Sequence, residues 1–125
     1  MTKRNLWATL MSVFVMSLLL VSCAEDAADS PLVGRWEMIK SNGSPVAQEN
    51  VEYFTFYSTG SGSREYMDGN VMRSDSFEWS SFSGDYVEIN YYDGTFMSYY
   101  YRFNGNNLEL SENSNFGHFN TFARR

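Results

Sequence analysis

The sequence predicts an all-β domain: a small, eight-stranded antiparallel up-and-down meander that closes into a barrel. Three observations carry this. Aromatic residues dominate the apolar set, with nine Tyr and ten Phe in 125 residues, and aromatic side chains favour strands. From residue 32 onward, apolar and polar residues alternate with a period of two, the mark of a strand with one buried and one wet face. Gly-, Asn- and Asp-rich turn signals then recur at short intervals.

The segments follow in order. Residues 24–31, Ala-Glu-Asp-Ala-Ala-Asp-Ser-Pro, read as an acidic flexible tether. Residues 32–41 form a first strand with Trp36 and Met38 on one face, and Asn42-Gly43-Ser44-Pro45 turns the chain. In residues 50–58, Phe54 and Phe56 share a face opposite Val51, Tyr53, Thr55 and Tyr57. After Thr59-Gly60, residues 61–67 return, and Asp68-Gly69-Asn70 is a hairpin signal. Residues 71–81 set Phe77 and Trp79 against Glu78. Gly84 opens a turn, and residues 85–92 set Val87, Ile89 and Tyr91 against Glu88 and Asn90. Asp93-Gly94 is a second hairpin signal. Residues 95–103 then align Met97, Tyr99, Tyr101 and Phe103 opposite Ser98 and Arg102. Asn104-Gly105-Asn106 turns into residues 107–111, with Leu108 and Leu110 inward and Glu109 outward. Residues 115–124 make a last strand, with Phe116, His118, Asn120 and Phe122 on one face. Short links make sequence neighbours spatial neighbours, and closure removes the exposed edges of such a meander.

The first 22 residues have a different character. Lys3 and Arg4 precede an uncharged apolar run from Leu6 to Val21. A basic start and a short apolar run are the signal-peptide pattern, and the run is shorter than the ~20 residues of a spanning helix. It ends in Leu20-Val21-Ser22-Cys23, which resembles the lipobox of bacterial lipoproteins. The resemblance implies cleavage before Cys23, diacylglycerol on its sulfur and acylation of the new amino terminus. Residues 1–22 are thus expected as a lipoprotein signal peptide, 23–31 as lipidated cysteine and tether, and 32–125 as the folded domain. Ala24 after the cysteine favours the outer membrane in the sorting logic of such lipoproteins. Glu25, Asp26 and Asp29 resemble the surface-export signal of Bacteroidota lipoproteins, and read equally as a solvated tether. Cys23 is the single cysteine, so the mature domain has no internal disulfide.

Leu32-Val33-Gly34-Arg35-Trp36 resembles the opening of lipocalin-like domains, where Gly-x-Trp lies on the first strand and the Trp plugs one barrel end. Lipobox, acidic tether, Leu-x-Gly-x-Trp, Asp-Gly and Asn-Gly hairpins and Tyr-rich strands together resemble short lipocalin-like lipoproteins of the Bacteroidota type, over about residues 32–124. Gly34 and Trp36 are the positions that carry the motif. The chain is shorter than full lipocalins.

Without Lys3 and Arg4 the net charge of −6 becomes −8. An acidic domain with no basic patch is a poor partner for nucleic acid. Chemistry is sparse. His118 is the single histidine, and no nucleophile elbow accompanies it. Clustered metal ligands are missing, and the Asp-Gly turns lack the spacing of calcium loops. Glu78, Glu88 and Glu109 alternate with apolar residues and are expected to face water rather than a cleft. No catalytic residue, metal or cofactor beyond the Cys23 lipid is expected. The leading expectation is a membrane-anchored binding module for a small apolar or amphipathic ligand, with Trp36, Phe54, Phe56, Trp79, Met97, Tyr99 and Tyr101 as candidate lining residues. A filled barrel is the competing picture. Its partner would be an envelope protein or glycan met by Tyr53, Tyr57, Tyr92 and Tyr100 on the outer face.

Overall fold

The structure, a computed structural model, describes residues 26–125. The expected signal peptide, Cys23, Ala24 and Glu25 lie outside the described residues. Nine strands follow one another: β1 (Gly34–Ser41), β2 (Ser44–Pro45), β3 (Glu52–Phe56), β4 (Ser61–Asp68), β5 (Val71–Phe82), β6 (Tyr86–Tyr91), β7 (Phe96–Asn104), β8 (Asn107–Ser111) and β9 (Asn120–Arg124). All are antiparallel, and β9 pairs back onto β1. The result is a closed eight-stranded up-and-down barrel, the architecture the lipocalin resemblance implies. β2 only extends a hairpin beyond β1. Its turn is Asn42-Gly43, both with positive φ, at 48° and 84°. That pair is what a two-residue hairpin turn twisting with its strands requires, and Asn-Gly accepts it at least cost.

Register assigns the faces, because residues opposite one another in an antiparallel pair share a side. Trp36 stands opposite Phe54 and Arg124, Phe77 opposite Tyr91, Ile89 opposite Met97, Val87 opposite Tyr99, and Leu108 opposite Phe122. These inward residues build a core of Leu32, Trp36, Phe54, Phe56, Phe77, Trp79, Val87, Ile89, Tyr101, Leu108, Leu110 and Phe122. Phe54 lies 5.6 Å from Phe122 and 6.2 Å from Phe77, and Phe56 lies 5.2 Å from Trp79, centroid to centroid. Such tilted and edge-on pairs add to the burial of their area. The buried indole N–H groups find acceptors: Trp36 Nε1 donates to Leu32 O at 2.8 Å, and Trp79 Nε1 to Ser61 O at 2.9 Å.

Strand directions define two ends. One gathers the lead-in 26–33, the β3–β4, β5–β6 and β7–β8 turns and the carboxyl terminus; the other gathers the β1–β3, β4–β5, β6–β7 and β8–β9 connections. Trp36 plugs the first end. Arg124 lies 4.2 Å above its ring and donates to Val33 O at 2.8 Å and Pro31 O at 3.2 Å. This stitches the last strand to the lead-in.

Several expectations are corrected. The lead-in is not a free tether up to residue 31: Ala27–Asp29 form a 3₁₀ turn capped by the Asp26 carboxylate, and Ser30 and Leu32 are buried. The first strand starts at Gly34, not residue 32. The last strand is half its expected length. Residues 112–119 form a loop with Phe116 at φ 53°, a value no strand tolerates, so Phe116 and His118 do not share the face of Phe122. Phe116 and Phe119 instead fold over the outside of the wall, where the Arg102 guanidinium lies 4.0 and 5.2 Å from their rings.

That loop also overturns the solvated reading of Glu109. It points outward, as alternation requires, yet is only 5% exposed. Arg102 Nε donates to its Oε1 at 2.6 Å from the facing position on β7. Glu78 is exposed and Glu88 half-buried. Removing Arg102 strands a buried carboxylate, whereas Glu109→Gln leaves a neutral acceptor beside a half-exposed cation. Arg102→Ala is therefore expected to cost about 1–2 kcal/mol, reduced from the buried-pair range by the exposure of the arginine, and Glu109→Gln less. Urea unfolding of the two variants checks the order.

Candidate functional site

The barrel wall is not apolar over its whole height. Toward the end away from Trp36 the inward positions turn polar. Glu52 opens β3 two residues before Phe54, so period two puts it on the same face. Arg64 on β4 faces both Phe54 and Asp75 across the ladders. Asp75 precedes Phe77 by two on β5. Asn120 on β9 faces Leu110. With Tyr91, Met97 and Tyr99 these residues surround a cleft of about 440 Å³ at the open end, with Asp93 and Thr95 at its rim. A second hollow of about 400 Å³ adjoins it and shares Tyr99 and Asn120. A third, about 500 Å³, lies at the plugged end between Trp36, Phe103 and Arg124. It is a surface groove there, since Trp36 beneath it is buried.

β5 explains why the cleft opens where it does. β6 ends at Tyr91, opposite Phe77, while β5 runs on from Val71. On the β6 side Tyr92 N still donates to Ser76 O at 3.3 Å, but Val71 to Asp75 pair only with β4, so the wall there is cut low beside Asp75. The Tyr91-to-Thr95 turn stands at the gap, held by Asp93 Oδ1, which accepts from Thr95 N at 2.8 Å and Thr95 Oγ1 at 2.6 Å. Those bonds hold the Asp93 carboxyl below its ordinary pKa.

Within the cleft, Arg64 Nε donates to Glu52 Oε1 at 2.5 Å, and the guanidinium lies 4.4 Å from the Tyr66 ring centroid. Burial disfavours the charged guanidinium, but the hydrogen bond and the charge of Glu52 outweigh it and hold the Arg64 pKa above its usual value. Burial also raises both tyrosines. Tyr91 goes well above the ordinary phenol range, with Tyr99 adding to the shift; Tyr99 is pushed up to about 12, with Glu52 and Glu112 adding to the effect of burial.

The raised tyrosines have a consequence for stability. From about pH 10, the ordinary value, to about 12, an unfolded chain loses the Tyr99 proton while the folded chain keeps it. The unfolded state then binds fewer protons, so stability falls as pH rises through that window. Urea midpoints at pH 9, 10 and 11 are expected to fall, and to fall less steeply in Tyr99→Phe. Parallel slopes in the two proteins would count against a protonated, buried Tyr99.

The seven candidate lining residues divide. Trp36, Phe54, Phe56, Trp79 and Tyr101 pack against one another in the core, while Met97 and Tyr99 line the cleft. Glu52, Arg64, Asp75, Tyr91 and Asn120 complete it; alternation puts Tyr91 and Asn120 on inward faces without marking them as lining residues, and it does not single out the three charged ones. Continuing the Phe54 and Phe77 periods backward by two would have found Glu52 and Asp75. Arg64 carries no such signal, because β4 lacks apolar alternation. His118 is exposed in the β8–β9 loop; its carbonyl, not its imidazole, accepts from Ser111 Oγ at 2.6 Å. Among the described residues no three His, Cys, Asp or Glu side chains converge as a metal site would need. On the outside, Tyr57 and Tyr92 are 50% and 66% exposed but lie at opposite ends of the barrel, and Tyr53 and Tyr100 are half-buried. Phe82, Tyr86 and Tyr100 form an outer ladder across β5, β6 and β7, with ring separations of 6.3 and 5.2 Å.

Comparison with protein-family models and with curated proteins found no match to this chain.

Proposed function

We propose that the chain is a membrane-anchored, lipocalin-like lipoprotein of the outer membrane and that its barrel is a non-catalytic binding module. It takes a small amphipathic ligand at the open end. The observation that carries this reading is the cleft of about 440 Å³ opposite the Trp36 plug, where polar groups replace the packed rings of the core. Ligand pockets commonly combine an apolar floor with a few placed polar groups, and an eight-stranded barrel can hold one small ligand at its mouth. The apolar lining narrows to Tyr91, Met97 and Tyr99, so the ligand is more polar than a purely aromatic cup would take.

The proposed anchor agrees with this orientation. Asp26 begins the described chain at the plugged end, three residues after Cys23. Lipid on Cys23 would hold that end toward the membrane and point the mouth at the aqueous phase. Labelled palmitate is expected to enter the full chain and not Cys23→Ser. Native mass spectrometry of the full chain from envelope membranes tests the binding itself. A reproducible noncovalent adduct, lost in a cleft-filling Tyr99→Trp variant that still folds, is the expected result. A clean mass from cells grown under several conditions would reject it.

A second reading has one observation in its favour: the Phe82–Tyr86–Tyr100 ladder. Half-exposed rings in a row could stack on a glycan or a flat partner surface. Loss of envelope retention in Tyr86→Ser and Tyr100→Ser, with the cleft intact, would favour that reading.

A further inference from the structure

The cleft at the open end has a defined charge. Four charged side chains line it: Glu52, Arg64, Asp75 and Asp93. Arg64 is the only cation among them, and Glu52 neutralises it at 2.5 Å. Asp93 sits at the rim with its carboxylate held by Thr95. Asp75 is different. It is partly buried, faces inward beside Arg64 in the ladder, and has no ion pair among the described residues. The nearest other arginine on its own face, Arg73, is engaged by Asp68. Tyr91 and Tyr99 stand beside these carboxylates, and Met97 supplies a flexible apolar wall. A ligand carboxylate would meet Asp75 and Asp93 on entering, and the one guanidinium in the cleft is already paired with Glu52.

We infer that the ligand of this cleft is a small organic cation with an aromatic or apolar body: its ammonium meets Asp75 between Tyr91 and the rim carboxylate of Asp93, and its body lies against Met97 and Tyr99. The inference rests on the binding-module reading and adds the chemical class. Two forces act in the same direction. An ammonium hydrogen-bonded to a carboxylate in a partly dehydrated site interacts more strongly than in water, and tyrosine rings attract cations through their π faces. The low wall beside β6 gives the cation a path past Asp93 to Asp75. The cleft's lining, four charged side chains with Tyr91, Tyr99 and a single aliphatic residue, Met97, suits an aromatic amine rather than a lipid chain.

Three probes of one shape separate charge from shape: tyramine, its neutral alcohol tyrosol, and 4-hydroxyphenylacetate. Each is titrated into the full chain in detergent micelles, with the methionine methyls labelled, and the Met97 methyl resonance is followed. The expected result is saturable binding of tyramine, tyrosol weaker by about tenfold or more, and no saturation by the acid, since one charge-assisted hydrogen bond is worth about that factor. Asp75→Asn is expected to weaken tyramine by about tenfold and leave tyrosol unchanged. Added salt should weaken tyramine alone, a readout on the unaltered chain that needs no variant to fold. Tyrosol or the acid binding as well as tyramine, or salt leaving tyramine unchanged, would overturn the cation and leave the binding module standing. If none of the three moves Met97, the cation class fails, while the adduct seen or not seen by native mass spectrometry judges the binding module separately.

Discussion

Trp36→Ala is expected to destabilise the domain by about 3–5 kcal/mol, the range for removing a fully buried large aromatic. Trp36 is 1% exposed, and its ring packs under Arg124 and 6.0 Å from Phe103. The loss goes beyond the cavity. Leu32 O loses the donor that reaches it at 2.8 Å, and Arg124 loses the surface over which it spans from β9 to Pro31 and Val33. A domain of this size has a total stability of about 5–15 kcal/mol, so the substitution removes a large share, with a fall in Tm of more than about 12 °C. Arg124→Met keeps the ring buried and removes only the cation and its two hydrogen bonds, so its cost should be clearly smaller. Thermal and urea unfolding of both variants measure the difference. If Trp36→Ala cost less than Arg124→Met, the tryptophan would not be the plug, and the end of the barrel would be held by the arginine strap alone.

The Gly-x-Trp signal was legible because it is local. Trp36 lies on a strand whose alternation is visible, and its burial follows from being large and apolar. The same holds for Phe54, Phe56, Phe77, Val87, Ile89, Leu108 and Leu110, all read inward from period two and all buried. Alternation failed where a long-range contact overrides it. Glu109 alternates outward correctly, but its exposure depends on Phe116 and Phe119 coming back from the β8–β9 loop to cover Arg102. Nothing in residues 107–111 encodes that loop. The last strand was overextended for a related reason: Phe116, Phe119 and Phe122 have strand-like composition, and only the left-handed Phe116 shows that the chain turns first.

The site was less legible than the fold because its residues are polar ones on inward faces. A sequence reading assigns Glu52, Arg64 and Asp75 to water by default, since charged residues are seldom buried unless paired. Their inward placement follows from ladder register, which brings β3, β4 and β5 together as Glu52 with Tyr66, Phe54 with Arg64, and Arg64 with Asp75. No single strand contains that information. Tyr101, a candidate lining residue, differs from Tyr99 by one step toward the plug, and that step takes it from the cleft into the core. Distance along the barrel axis, not residue type, separates wall from lining.

Gly62→Ala is the smallest substitution with a large expected effect, and it tests how tightly the core under the cleft is packed. Gly62 lies on β4 opposite Phe56 and Phe77, and is buried. A methyl group there would stand 2.5 Å from Phe77 Cζ and 2.6 Å from the Thr55 carbonyl oxygen, and nearer still to Phe77 Cε1. Neither neighbour can give easily. Thr55 O is backbone within β3, and the Phe77 ring is fixed by Phe56 at 5.6 Å and Tyr91 at 5.5 Å. Overpacking of this kind costs about 1–3 kcal/mol and sometimes more; with a backbone atom among the clashes, about 3 kcal/mol is expected. Gly94→Ala is the comparison: at φ 92° it is strained, but nothing lies within 4 Å of the added carbon, so its cost should stay at the backbone strain alone, about 1–2 kcal/mol. Adding Phe77→Leu to Gly62→Ala should recover part of the loss, because it withdraws the ring, and not all of it, because Thr55 O remains. Because Phe77 also supports Tyr91, the Gly62 variant should disturb the cleft wall before it unfolds the barrel, visible as a shifted Met97 methyl resonance at denaturant concentrations where β1 and β9 stay protected from hydrogen exchange. Equal costs for Gly62→Ala and Gly94→Ala would mean that the ring does not fill the space over β4, and that the floor of the cleft is looser than its neighbours indicate.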